Sequence, residues 1–204
     1  MDIFAYDEAL REQGFFFIAG LDEAGRGPLA GPVVAAAVML PAGLRIGGVN
    51  DSKKVPERER ERLYGEIVRN AECFGLGMVE VAEIDRTDIL RATRAAMMKA
   101  LAQLGRMPDL VLLDAVRLPH LAIQQRPIIK GDATSAAIAA ASIIAKVTRD
   151  RLMLQYHEQY PHYGFDRHKG YATREHIICI QKYGPCPIHR MSFDKVKTVP
   201  LPFA

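Results

Sequence analysis

Residues 15–28 read Phe15-Phe16-Phe17-Ile18-Ala19-Gly20-Leu21-Asp22-Glu23-Ala24-Gly25-Arg26-Gly27-Pro28, and this stretch decides the fold. Its first half, residues 15–21, is aromatic and branched, the composition of a short strand. Its second half turns acidic and then glycine-rich. Acids set directly after an apolar strand are not demanded by folding. Gly25 and Gly27 leave the backbone around Arg26 open to a close ligand. The segment is not a Walker loop, because no Gly-Lys-Ser/Thr ending follows.

Working outward, strand and helix patterns alternate. Residues 33–40 form a second apolar strand, stopped by Pro41. Residues 41–52 carry three glycines and should be mobile or tightly turned. Pro56 suits the start of a helix. Residues 57–62 then alternate in sign, pairing Glu57 with Arg60, Arg58 with Glu61 and Glu59 with Arg62 on a solvated face. Residues 73–81 read as a strand. Residues 84–104 read as a helix with Leu90, Met97, Leu101 and Leu104 on one face, ended by Gly105. Residues 110–113 and 121–129 are further strands. Residues 133–159 form a long helix whose first half is apolar nearly all round, so it should lie centrally. Residues 173–182 form a last helix. The order is that of a mixed α/β protein without a sharp domain boundary.

The 204 residues are 49% hydrophobic and 25% charged, which suits one globular domain and excludes a disordered or collagen-like chain. Cys73, Cys179 and Cys186 are too few and too scattered for a secreted disulfide framework. The start is acidic where a signal peptide would be basic. The longest apolar runs, residues 33–40 and 136–145, fall short of the roughly 20 residues of a membrane span. The expectation is a soluble, cytoplasmic chain. The net charge of +3 argues against a purely electrostatic nucleic-acid coat. It is unevenly spread, with three excess acids in residues 1–50 and six excess bases in residues 101–204. Those bases are interleaved with Tyr156, Tyr160, Tyr163, Phe165, Tyr171 and Phe193. That mixture suits a nucleic-acid surface, and equally a solvated surface with tyrosines packed at its edge.

Four carboxylates stand at strand ends and loop edges. Asp22 and Glu23 follow residues 15–21, Asp114 follows residues 111–113, and Asp132 opens the long helix. If these strands are neighbours in one sheet, their ends bring the acids together. Clustered carboxylates raise each other's pKa unless a cation neutralises them. Oxygen-only ligands favour Mg²⁺ or Mn²⁺. Two such ions about 4 Å apart can clamp an in-line phosphodiester displacement. Asp132 could instead cap the helix near Ser135, and Asp114 could be a turn residue.

Residues 20–28 strongly resemble the first active-site segment of bacterial ribonuclease HII, the type 2 ribonuclease H. The likeness continues through Asp51-Ser52-Lys53-Lys54, Leu113-Asp114, Lys130-Gly131-Asp132, residues 139–153, residues 163–176 and residues 184–193. It implies a ribonuclease H-like fold, with a mixed central sheet flanked by helices and a small helical C-terminal extension. Residues 1–160 would be the catalytic core, and residues 161–204 an extension packed on it that contributes to substrate binding. The implied activity is cleavage of the RNA strand of RNA–DNA hybrids and of single ribonucleotides in duplex DNA, with two Mn²⁺ or Mg²⁺ ions. Asp22, Glu23, Asp114 and Asp132 match the family's catalytic acids and metal ligands.

Gly25, Arg26, Gly27 and Tyr171 match its sugar-reading element, and the 2′-OH is the group such an element must read. Lys53, Lys146, His168 and Lys169 are candidate phosphate contacts. His168 and Lys169 could equally be surface groups. His176, Cys179, Cys186 and His189 are zinc-ligand types, but their intervals are unlike structural zinc sites and they are read as incidental. A monomer is expected, and a replication clamp stays open as a partner because the tail 199–204 is too short to assign. The alternatives are a non-catalytic hybrid-binding module, which intact acids oppose, and another nuclease of the same fold, which the Gly-Arg-Gly element with Tyr171 opposes.

Overall fold

In a computed structural model, residues 2–49, 52 and 55–198 are described. Lys53 and the tail 199–204 lie outside them. Five strands form one sheet: β1 (Ile18–Ala24), β2 (Val33–Met39), β3 (Cys73–Val79), β4 (Leu110–Asp114) and β5 (Gln124–Ile128). Their order is β3-β2-β1-β4-β5. β2 is antiparallel to both β1 and β3, whereas β1, β4 and β5 run parallel. The sheet is therefore mixed.

The described residues also form eight α-helices: α1 (Ile3–Glu12), α2 (Glu57–Asn70), α3 (Val81–Arg86), α4 (Ile89–Ala102), α5 (Ala136–Gln159), α6 (Phe165–His168), α7 (Arg174–Tyr183) and α8 (Asp194–Lys197). β2 alternates across the sheet. Ala35, Ala37 and Met39 pack with Ala96 and Met97 of α4, and Ala36 and Val38 pack with Leu63 of α2 and Ala140, Ile143 and Ile144 of α5. Both faces are covered, so β2 is apolar throughout, as a doubly buried strand must be.

α5 lies directly against β1. A Cβ on Gly20 would collide with the backbone of Ala137 and Ile138, so the residue must be glycine. Residues 136–145 of α5 are all buried, as a run apolar but for Ser142 requires. The helix is capped by the Ser135 hydroxyl, which accepts from the Ile138 amide, and not by Asp132. Asp7 of α1 also reaches this end, accepting from the Ala137 amide at 2.9 Å.

Four expectations need correction. β1 begins at Ile18, so Asp22 and Glu23 lie inside the strand and not beyond it. Residues 84–104 are two helices, because the Asp88 side chain caps a new start by accepting from the Arg91 amide. Leu90 then faces solvent, and the buried stripe is Ala92, Ala96, Met97, Ala100 and Leu101. The charged run in α2 is not wholly solvated: Glu59 does pair with Arg62, but Glu61 reaches Arg151 of α5 and Arg60 turns inward. Finally, α1 is an additional helix, started by the Asp2 cap.

The chain after α5 wraps back onto the start of the molecule. Tyr163, Phe165, Ile180, Ile188 and Val196 pack with Leu29, Ala30 and Met153. Leu29 N donates to Gly170 O, Gly31 N to Ile188 O and Arg190 N to Leu29 O, each at 2.8 Å.

Candidate active site

Asp22 and Asp114 come together where the parallel pairing of β1 and β4 ends. Leu21 of β1 is registered with Leu113 of β4, so Asp22 and Asp114 each follow the last paired row. The Gly131 amide donates to Asp114 Oδ1 at 2.8 Å and ties down the 3₁₀ turn Gly131–Ala133, which carries Asp132. Asp22 and Asp132 are each 5% exposed. The carboxyl of Asp22 sits well above the usual carboxylate range, mainly through burial and then through the charges of Glu23 and Asp114. A Ser142 hydroxyl and the Glu23 amide, the latter at 2.7 Å, partly offset this.

These residues suit a hard divalent cation. The donors are all oxygens, and their mutual repulsion in a buried place is relieved by positive charge. Among the described residues, no three His, Cys, Asp or Glu side chains are closed into a cage. Magnesium-type ions do not require one, since water and substrate phosphate complete their shell.

Asp22 and Glu23 share a cavity of about 200 Å³ with Gly25, Arg26, Gly27, Ser52, Ser142, Lys146 and Tyr171. Glu23 pairs with Arg26 at 3.3 Å. Tyr171 is 44% exposed, and its ring lies against the open face of Gly27. Lys146 donates to Asp150 at 2.6 Å, and burial lowers its pKa against that carboxylate's support.

Two buried arginines hold the glycine-rich turn from behind. Arg190 donates to Gly25 O at 2.6 Å, to Arg26 O at 3.1 Å, and to Gly31 O at 3.0 and 2.8 Å. Arg149 donates to Pro32 O, Lys169 O and Ala30 O at 2.9–3.0 Å. Gly25 has φ +101°, and a Cβ there would strike the Arg149 side chain. Amide and carbonyl oppose each other across a trans peptide. With the carbonyls of Gly25 and Arg26 drawn to Arg190, the amides of Arg26 and Gly27 are directed away from it.

Other candidates sit elsewhere. The His168 ring is buried, with Nε2 bonded to Tyr163 O at 2.7 Å and Nδ1 accepting from the Gly170 amide at 3.2 Å. The Lys169 ammonium donates to Asp166 O. Both side chains are engaged in packing the turn before Tyr171 and are not surface groups. His176 and His189 face each other, Nε2 to Nε2, at 3.0 Å, and His189 Nδ1 accepts from the Cys186 amide at 2.9 Å. Sequence reasoning missed Ser52, Ser142, Arg149 and Arg190. The serines lie within recognisable motifs, but a buried arginine serving carbonyl groups leaves no periodic signal.

No helix among the described residues is long and apolar enough to cross a membrane. Comparison with known proteins agrees with the architecture. The solved ribonuclease H2 of Pyrococcus horikoshii superposes with a TM-score of 0.77 at 27% identity, covering 90% of this chain and 96% of that one. The ribonuclease HII of Archaeoglobus fulgidus, solved as a complex with PCNA, gives 0.72 at 26% identity, covering 87% and 95%. The ribonuclease HII of Ruminiclostridium cellulolyticum is 56% identical over 191 residues, 94% of this chain and 75% of that protein. The family model for ribonuclease HII matches residues 19–196, and the chain belongs to that family.

Proposed function

We propose that this chain is an endoribonuclease that hydrolyses the RNA strand of RNA–DNA hybrids and nicks duplex DNA on the 5′ side of single ribonucleotides, leaving 5′-phosphate and 3′-hydroxyl ends. One observation carries this reading. Buried Asp22, its neighbour Glu23, the Gly25-Arg26-Gly27 turn and the Tyr171 ring line the same cavity, so metal-binding acids and a sugar-sized recognition element share one space.

Asp22, Glu23, Asp114 and Asp132 would hold Mn²⁺ or Mg²⁺, two ions when substrate is bound. Such ions activate a water and stabilise the leaving oxygen. The protein's own groups fix the substrate. The amides of Arg26 and Gly27 are free to meet a 2′-oxygen on the side away from Arg190. The Tyr171 ring offers a flat surface to the next sugar, where a 2′-OH would crowd it. Lys146 meets a backbone phosphate, and Lys53 is the matching candidate in the adjoining loop. The segment after α5 contributes Tyr171 to this cavity. The wrapped packing of that segment on Leu29 and Ala30 supports reading it as part of the substrate site.

The test uses a DNA duplex with one ribonucleotide, with Mn²⁺ or Mg²⁺ added. Cleavage on its 5′ side is expected, and Tyr171→Ala should lose preference for the RNA-to-DNA step more than it loses hybrid binding. No cleavage by the folded protein with either ion sinks the proposal. Unchanged preference in the tyrosine variant removes the sugar-reading role.

A further inference from the structure

Ser142, Lys146 and Asp150 recur at intervals of four along α5, so they form one stripe on its surface. The stripe faces the loop before α2. Ser142 Oγ meets Ser52 Oγ at 2.8 Å, and Lys146 Nζ donates to Asp150 Oδ1 at 2.6 Å. The other oxygen of Asp150 is 3.6 Å from Arg60 Nη2. Arg60 Nη1 donates to Ser52 O at 3.2 Å and to Val55 O at 2.6 Å. Those carbonyls bracket Lys53 and Lys54 in the sequence.

Asp150 is almost wholly covered, and the side chains of Arg60 and Lys146 are 13% and 19% exposed. Sheltered charges hold their geometry, because separating one pair strands a charge away from water. Exposed pairs are held far more loosely. Among the described residues the hub contains two cations and one anion, which leaves a net attraction for phosphate.

Taking Lys146 as a phosphate contact, as proposed above, we infer that Asp150 and Arg60 are positioning residues for the substrate strand. Asp150 holds Lys146 Nζ at the wall of the cavity. Arg60 ties the carbonyls of Ser52 and Val55 to the same carboxylate. One buried hub thereby holds Lys146 and the backbone of Ser52 at the wall of the cavity that Asp22 lines. Neither Asp150 nor Arg60 touches the reacting atoms.

The test is a double-mutant cycle on the single-ribonucleotide duplex, with kcat, KM and their salt dependence measured for Asp150→Asn, Lys146→Met and the double variant. Asp150→Asn should raise KM about tenfold, leave kcat within about twofold, and reduce the salt slope by about one phosphate contact. The double variant should be no worse than Lys146→Met, because Asp150 acts through that lysine. Asp150→Glu should recover part of the loss. If Asp150→Asn does not fold, Arg60→Lys serves in the cycle, since it keeps the charge but loses the fork that joins the two carbonyls to Asp150. Additive effects, or an unchanged KM in Asp150→Asn beside a raised KM in Lys146→Met, overturn the positioning role alone. If Lys146→Met itself changes neither KM nor salt slope, the phosphate-contact reading fails and the positioning role falls with it.

Discussion

Replacing Arg190 with methionine should damage stability and ribonucleotide cleavage together, and both effects follow from where its four hydrogen bonds end. The guanidinium is fully buried and serves the carbonyls of Gly25, Arg26 and Gly31. Arg190→Met fills much of the same volume but leaves three carbonyls facing an apolar side chain. A buried carbonyl without a donor costs about 1–3 kcal/mol. Burial already disfavours the charge, pushing its pKa down to about 9, so removing it recovers part of that loss. A net destabilisation of about 3 kcal/mol is expected, which lowers Tm by roughly 6–12 °C for a domain of this size. Arg190→Lys should fall between, because an ammonium cannot span three carbonyls as a planar fork does.

The catalytic consequence is separable from the stability loss. At 25 °C the variant remains folded, yet the Gly25–Gly27 turn has lost the contacts that direct its amides. A displacement near 1 Å in a positioning element can cost about a hundredfold in rate. kcat/KM on the single-ribonucleotide duplex should drop by that order, with folding checked by circular dichroism at the same temperature. A Tm within about 2 °C of the parent, together with unchanged kcat/KM, would refute the account, because three orphaned carbonyls could not then be present.

The remaining predictions concern charge. Asp22→Asn should abolish cleavage while raising the Tm of metal-free protein. The parent carboxyl titrates above its unfolded value, so its stability contribution is full below about pH 3.8 and is lost as pH rises through the native pKa. Mn²⁺ at about a hundredfold excess over its Kd should raise the parent's Tm by roughly 5–10 °C, and the variant's by much less. Equal shifts in both would misplace the metal. His176 and His189 are each held near pKa 4 by burial, below their ordinary value of 6.5. Their contribution is present above pH 6.5 and is lost as pH falls towards 4, because the unfolded chain takes up protons there first. Asp7, raised to about 6 by burial, works in the opposite direction over pH 3.8–6. Urea midpoints at pH 7 and 5 should therefore be compared between the parent and His176→Gln. An equal pH dependence in the two would remove the histidine pair as the source.

The sheet and the acid positions were legible because their causes are local. Alternation and uniform apolarity reflect what each face of a strand or helix touches, and residues 33–39 and 136–145 behave as their side chains dictate. The place of Asp22 beside Asp114 needed one assumption, that β1 and β4 are neighbours, and the parallel register supplies it. The errors arise where a side chain's role depends on distant backbone. Arg60 has the sequence context of a solvated helix, yet the carbonyls of Ser52 and Val55 and the carboxylate of Asp150 draw it inward. His168 and Lys169 stand in a basic, aromatic stretch, yet their polar atoms are used to hold the turn that presents Tyr171.

Arg149 and Arg190 extend the same principle to the site itself. Each is an arginine in the C-terminal half whose donors end on carbonyls between Gly25 and Pro32, apart from the one that Arg149 gives to Lys169. No local pattern reveals such a partner, because a carbonyl is present at every residue. Some of the basic excess in residues 101–204 is therefore not a nucleic-acid surface. It is internal, and it shapes the short turn that a ribose is proposed to meet. The net charge of +3 thus counts internal, structural cations with surface ones, and only burial tells them apart. Lys146 shows both surroundings at once, being paired with Asp150 at one side and lining the cavity at the other.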